Sequence, residues 1–220
     1  MIQKIFKFLF REFFFLLYHQ FAVLYDLVAG IVSLGKWKEW IYSIEPLLEE
    51  FPLVELGHGP GHLQRKLLSE NKYAIGLDES RQMSRLAKNK LGGLAFRLIR
   101  ARSQNLPFKN NSIPFFVATF PSEYIFESST ISELHRTMTD SGKLVILLAV
   151  WPDGSSVFEK FMKIVFRITG ESPRENSDFS QFTNPFFSHG FISSAKIINF
   201  QKTKLLTIIS QKKITHNLTN

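Results

Sequence analysis

The string Val54-Glu55-Leu56-Gly57-His58-Gly59-Pro60-Gly61-His62-Leu63 constrains the fold of this chain more than any other stretch. It reads as the end of a strand, a turn with a glycine at every second position, and the start of a helix running from Gly61 to Glu70. Glycine accepts positive φ and carries no Cβ, so such a turn brings backbone amides and the positive end of a helix beside a ligand. The spacing narrows the choice of ligand. A dinucleotide fingerprint, G-x-G-x-x-G, needs its third glycine at position 62, where the chain has His62, and the Lys-Ser/Thr pair of a Walker loop does not follow. What stands here is G-x-G-x-G with an acid, Glu55, two residues upstream.

Around this turn, short apolar runs alternate with helical patterns, the signature of βαβ units and a mostly parallel sheet. Strands are expected at 52–56, 73–78, 94–101, 113–120 and 143–150, with helices at 80–90, 128–138 and 155–168. The run Lys143 to Val150 lacks the alternation of a half-exposed strand and is expected in the middle of the sheet. Residues 170–187, rich in Ser, Asn, Pro and Glu, read as a loop, and 191–201 with 204–212 as a closing antiparallel hairpin.

The N-terminal forty-odd residues have a different texture. Seven of the 23 phenylalanines fall between Phe6 and Phe21, at helical spacing. The uncharged stretch Phe13 to Tyr25 contains His19 and Gln20 and is far short of the ~20 residues that cross a bilayer. Glu12 and Asp26 spoil a secretory signal, so a cytoplasmic protein is expected. Zero cysteines exclude disulfide scaffolds, thiolate metal sites and cysteine nucleophiles. His58 and His62 have no third ligand candidate near them in sequence, so no metal site is expected.

The glycine turn with Glu55 resembles the first motif of class I S-adenosylmethionine-dependent methyltransferases, and the resemblance continues in register. Asp78, in Gly76-Leu77-Asp78-Glu79-Ser80, stands where the family uses an acid to hold both ribose hydroxyls. The segment Ala101-Arg102-Ser103-Gln104-Asn105-Leu106-Pro107-Phe108 is similar to the stretch beside the adenine, and Thr119-Phe120-Pro121-Ser122-Glu123-Tyr124 to the end of strand four. Glu133 to Arg136 and Asp140 to Leu144 resemble a later helix, turn and strand. The closest texture is that of the type 11 and ubiquinone-menaquinone biosynthesis methyltransferases. The resemblance implies a Rossmann-like α/β fold, a seven-stranded mostly parallel sheet over residues 46–213, preceded by a helical cap at 1–45. It implies S-adenosylmethionine as cofactor, held by Glu55, Gly57, His58, Gly59, Gly61, Asp78, Glu79, Ser103 and Gln104. Arg102 departs from the family's pattern, since it cannot accept a hydrogen bond from the adenine amino group.

Methyl transfer from a sulfonium asks mainly for an in-line approach and exclusion of water. No catalytic dyad is visible, and the candidates for a base, where one is needed, are Glu123, Tyr124 and His19. The phenylalanine-rich cap has three readings: a lid packed over the sheet mouth, a wall for an apolar acceptor, or an interfacial membrane anchor. From Ser80 to Ser122 there are eight Lys or Arg and no acid, which equals the formal net charge of +8. A solvated face is its plain reading, and an anionic membrane surface is the functional one. Nucleic acid is the weaker option, because basic and aromatic residues are segregated. The expected function is methylation of a small, lipophilic acceptor. A non-catalytic membrane-surface binding protein of the same fold and an RNA methyltransferase are the alternatives.

Overall fold

A computed structural model describes residues 35–94, 97–152, 178–200 and 203–213. Within these, β1 (Leu53–Leu56), β2 (Ala74–Asp78), β3 (Leu98–Arg100), β4 (Ile113–Thr119), β5 (Met138–Pro152), β6 (Phe191–Phe200) and β7 (Thr203–Lys212) form one sheet. Its order is β3-β2-β1-β4-β5-β7-β6. Strands β1 to β5 pair in parallel, while β7 runs antiparallel to both β5 and β6. The expected mostly parallel seven-stranded sheet with a closing hairpin is therefore the architecture found.

Helices α1 (Trp37–Tyr42), α2 (His62–Ser69), α3 (Arg81–Leu91), α4 (Ser128–Thr137) and α5 (Ser180–Phe187) accompany the sheet. The two-residue period of the strands divides the core between its faces. Phe115 and Val117 of β4 join Trp40 and Ile41 of α1 and Leu63 and Leu67 of α2 on one face. Phe116 and Ala118 join Ile131 and Leu134 of α4 and Phe186 of α5 on the other. Phe115 and Phe116 are fully buried, each contributing about 1.5–3 kcal/mol by burial. The same period puts Glu55 on the face covered by α2, next to Leu53.

Three details differ from the sequence reading. The last eight residues of the expected loop 170–187 form α5, with Pro185 inside it. Burial of Phe186, and the contacts of Phe126 with Phe182 at 5.8 Å and with Phe186 at 6.1 Å, hold a helix that local composition argues against. The third strand is shorter than expected, covering only Leu98–Arg100. The Asp140-Ser141-Gly142 turn lies inside β5, because the register with β4 jumps from Ile113↔Met138 to Phe115↔Lys143. Gly142 is required there: a Cβ would stand 2.8 Å from the Thr139 carbonyl oxygen. The expected helix at 155–168, the phenylalanine-rich segment and His19 lie outside the described residues.

Candidate functional site

The carboxyl ends of β1 to β4 open on one side of the sheet, where crevices of doubly wound sheets lie. A cleft of about 700 Å³ stands there, lined by the segments that follow β1 (Gly57–Pro60), β2 (Glu79, Ser80), β3 (Ala101–Gln104) and β4 (Phe120–Tyr124). Trp37 and Ile41 of α1 line it as well.

The glycine turn works differently from its first reading. Its amides are already taken: Gly57 and His58 donate to the Leu77 carbonyl at 2.7 and 3.2 Å, Gly61 donates to His58 O at 2.9 Å, and Gly59 donates to Asp78 Oδ2 at 2.9 Å. The turn is thus a rigid, self-satisfied shelf, and what it offers a ligand is bare surface. Gly57, Gly59 and Gly61 all have positive φ, +68°, +50° and +81°. At Gly57 the missing side chain also makes room for Tyr124, since a Cβ would stand 2.7 Å from its hydroxyl. At Gly61 a Cβ would meet Ala87 at 2.9 Å, so this glycine serves the close packing of the turn against α3.

Asp78, nearly buried, joins the turn to the start of α3. Its Oδ2 accepts from Gly59, and its Oδ1 accepts the Ser80 amide at 2.8 Å. Each oxygen keeps a second lone pair, so the carboxylate can still accept two hydroxyls. Burial raises its pKa, opposed by His58 and by the two amide bonds. Glu55 is 1% exposed and accepts Gln64 Nε2 at 2.8 Å. Burial pushes its carboxyl up to about 8, with the Gln64 bond pulling the other way and Asp78 adding to the rise. His58 is 3% exposed; its Nδ1 faces Gly59 O at 2.7 Å, and its Nε2 has no protein partner. Burial lowers its pKa, with Asp78 opposing. The His58 ring packs on Gly76, whose missing Cβ would lie 3.0 Å from the ring.

The remaining expected residues are also brought to the cleft. Ser103 is buried in its wall. Glu79 pairs with Arg102 at 3.3 Å across the rim, both largely exposed. Gln104 donates to Glu127 Oε2 at 2.8 Å. Glu123 and Tyr124 stand in the turn after β4. Sequence reasoning missed Trp37 and Glu127. Trp37 stacks on Phe120 with ring centroids 4.7 Å apart, and nothing local in the sequence announces that pairing. Phe120 has φ +49°, a left-handed conformation that costs a bulky residue about 1–3 kcal/mol and occurs most often at functional sites. Among the described residues no three His, Cys, Asp or Glu side chains converge as metal ligands.

A sheet of this order, a glycine turn after the first strand and an acid ending the second together define the class I S-adenosylmethionine-dependent methyltransferases, whose cofactor is S-adenosylmethionine. Residues 54–146 match the model of the methyltransferase domain family. The uncharacterized methyltransferase YrrT of Halobacillus halophilus is 27% identical over 147 residues, covering 62% of this chain and 67% of its own. A solved S-adenosylmethionine-dependent methyltransferase from Thermotoga maritima, described as a possible histamine N-methyltransferase, shares the fold with a TM-score of 0.53 at 17% identity, over 86% of this chain and 93% of its own. The phosphoethanolamine N-methyltransferase 2 of Haemonchus contortus, solved with S-adenosyl-L-methionine, gives a TM-score of 0.55 at 14% identity, over 81% of this chain and 53% of its own.

Proposed function

We propose that this chain binds S-adenosylmethionine in the cleft and transfers its methyl group to a small, lipophilic acceptor. One observation carries the cofactor half: the Asp78 carboxylate stands in the cleft wall at the end of β2, held against the glycine turn by the Gly59 amide at 2.9 Å, with an acceptor lone pair left on each oxygen. The residues fit the group. Asp78 takes the ribose hydroxyls, Glu55 and His58 lie under the sulfonium-bearing part, and Ser103 and Gln104 flank the base. When bound, the cofactor supplies a methyl on a positively charged sulfur. The chain orients the partners and excludes water, which accounts for the lack of a catalytic dyad. The acceptor half is supported by the aromatic wall of Trp37, Phe120, Tyr124 and Phe126 on the side of the cleft after β4. The exposed basic residues of α3, β3 and the residue before β3 (Arg81, Arg85, Lys88, Arg97, Arg100) suit an anionic membrane surface from which such an acceptor is drawn.

Titration calorimetry with S-adenosylmethionine tests the reading. Binding is expected, with Asp78→Ala weakening it by at least about tenfold, the worth of one charge-assisted contact. Absence of binding at millimolar cofactor, or affinity untouched by Asp78→Ala, overturns it.

A further inference from the structure

The charge inside the cleft is opposite to that of the chain. The protein carries a formal net charge of +8, yet among the described residues the cleft is lined by four carboxylates (Asp78, Glu79, Glu123 and Glu127), by Glu55, which burial keeps protonated up to about 8, and by a single arginine. That arginine, Arg102, is neutralised by Glu79. Glu55 and Asp78 are committed to the glycine turn and the cofactor side. Glu123 and Glu127 remain, both exposed, and neither has a cationic partner among the described residues. Glu127 accepts only the neutral amide of Gln104 at 2.8 Å. Both stand on the turn that also carries Tyr124 and Phe126, in the cleft that the stacked Trp37 and Phe120 also line. His58 also lines the cleft, its ring edge packed on Gly76 and its buried Nε2 without a hydrogen-bond partner.

Aromatic faces and uncompensated carboxylates favour one kind of guest. The faces attract a cation through their quadrupoles, and the carboxylates make the local potential negative, which repels an anion. We infer that the acceptor recognised beside the cofactor is an amine-bearing small molecule with an apolar body, held by Glu123 and Glu127 against the aromatic wall, and that carboxylate- or phosphate-bearing molecules are rejected. This rests on the methyltransferase reading and names the substrate class of the same site. The amine is the recognised group, whichever atom is methylated.

Two isosteric probes test the inference, 2-phenylethylamine and 3-phenylpropionate, titrated into the full chain by calorimetry with and without saturating S-adenosylhomocysteine. The amine is expected to bind at least about tenfold more tightly than the anion at low ionic strength, with the preference shrinking in 0.5 M salt. The double variant Glu123→Gln and Glu127→Gln is expected to reduce that preference about tenfold. Its carboxamide at 127 still accepts the Gln104 bond, and thermal unfolding within a few degrees of the wild type is expected to show that the variant folds. Equal binding of the two probes, tighter binding of the anion, no binding of either, or a preference unaltered in the double variant overturns the inference. Failure of S-adenosylhomocysteine itself to bind overturns the function proposed above instead, because the preference between probes is read without it as well.

Discussion

Gly57 shows how much a single missing methyl group decides. Two demands meet at that residue: a φ of +68° and a hydroxyl 2.7 Å from where a Cβ would be. Gly57→Ala is expected to weaken cofactor binding by more than about tenfold and to destabilise the chain by about 1–3 kcal/mol, since strain and clash add. Adding Tyr124→Phe removes the clashing oxygen and is expected to restore part of the affinity, leaving the backbone strain in place. Calorimetry and thermal unfolding of the three variants separate the terms. No recovery in the double variant would show that the hydroxyl is not the obstacle. His58 makes a related point. Its ring fills the space that Gly76 leaves open, so a bulky side chain in the turn is accommodated by a glycine on the neighbouring strand.

Helix α4 is the element that fixes the loop following β3. Arg136, near its end, donates to Leu106 O at 3.0 Å, to Phe108 O at 2.9 Å and to Asn110 Oδ1 at 2.8 Å, while gripping Glu133 at 2.7 Å. Glu133 in turn accepts the Leu106 amide at 2.8 Å. The planar fork thus ties residues 106–110, just beyond Ser103 and Gln104, to the helix. Arg136→Ala is expected to cost about 2–3 kcal/mol and to raise amide hydrogen exchange across 103–111. Arg136→Lys is expected to recover little, because one ammonium cannot reproduce five donors in a plane. Exchange confined to α4, with the loop unaffected, would contradict this role. Helix α3 is set by a simpler device: the Ser80 hydroxyl accepts the Met83 amide at 3.2 Å and caps its first turn.

At the scale of the whole molecule, the buried acids under the cleft make stability depend on pH. The folded chain holds the Glu55 proton up to about 8, whereas an unfolded carboxyl releases it near its ordinary 4.5. Stability from this group is therefore complete below 4.5 and is lost as pH rises through 8. Asp78, raised by the same burial, acts in the same direction. His58 acts in the opposite one: its lowered pKa favours the neutral ring, so its share is present above 6.5 and is lost as pH falls through the folded value. Glu55→Gln keeps the shape and the Gln64 bond without a titrating proton. Its melting temperature is expected to gain on the wild type between pH 5 and pH 9, by roughly 3 °C or more at the alkaline end. A gap constant over that range would place the titration elsewhere.

The sequence by itself determined the strand, glycine turn and helix, the order of the elements and the acids at Glu55 and Asp78. These features are local: hydrophobic period, glycine spacing and the residue at a strand end act through neighbours in the chain. Even there, composition misread Ser180–Phe187, because the burial of Phe186 comes from β6 and from the turn after β4, far away in sequence. The tertiary structure alone decided that the turn's amides are spent on Leu77, His58 and Asp78, that Gln104 turns to Glu127, and that Trp37 lies on Phe120. It also decided that the carboxylates of a basic chain gather in one cleft. Each of these depends on β1 lying between β2 and β4, which brings segments dozens of residues apart to one edge of the sheet.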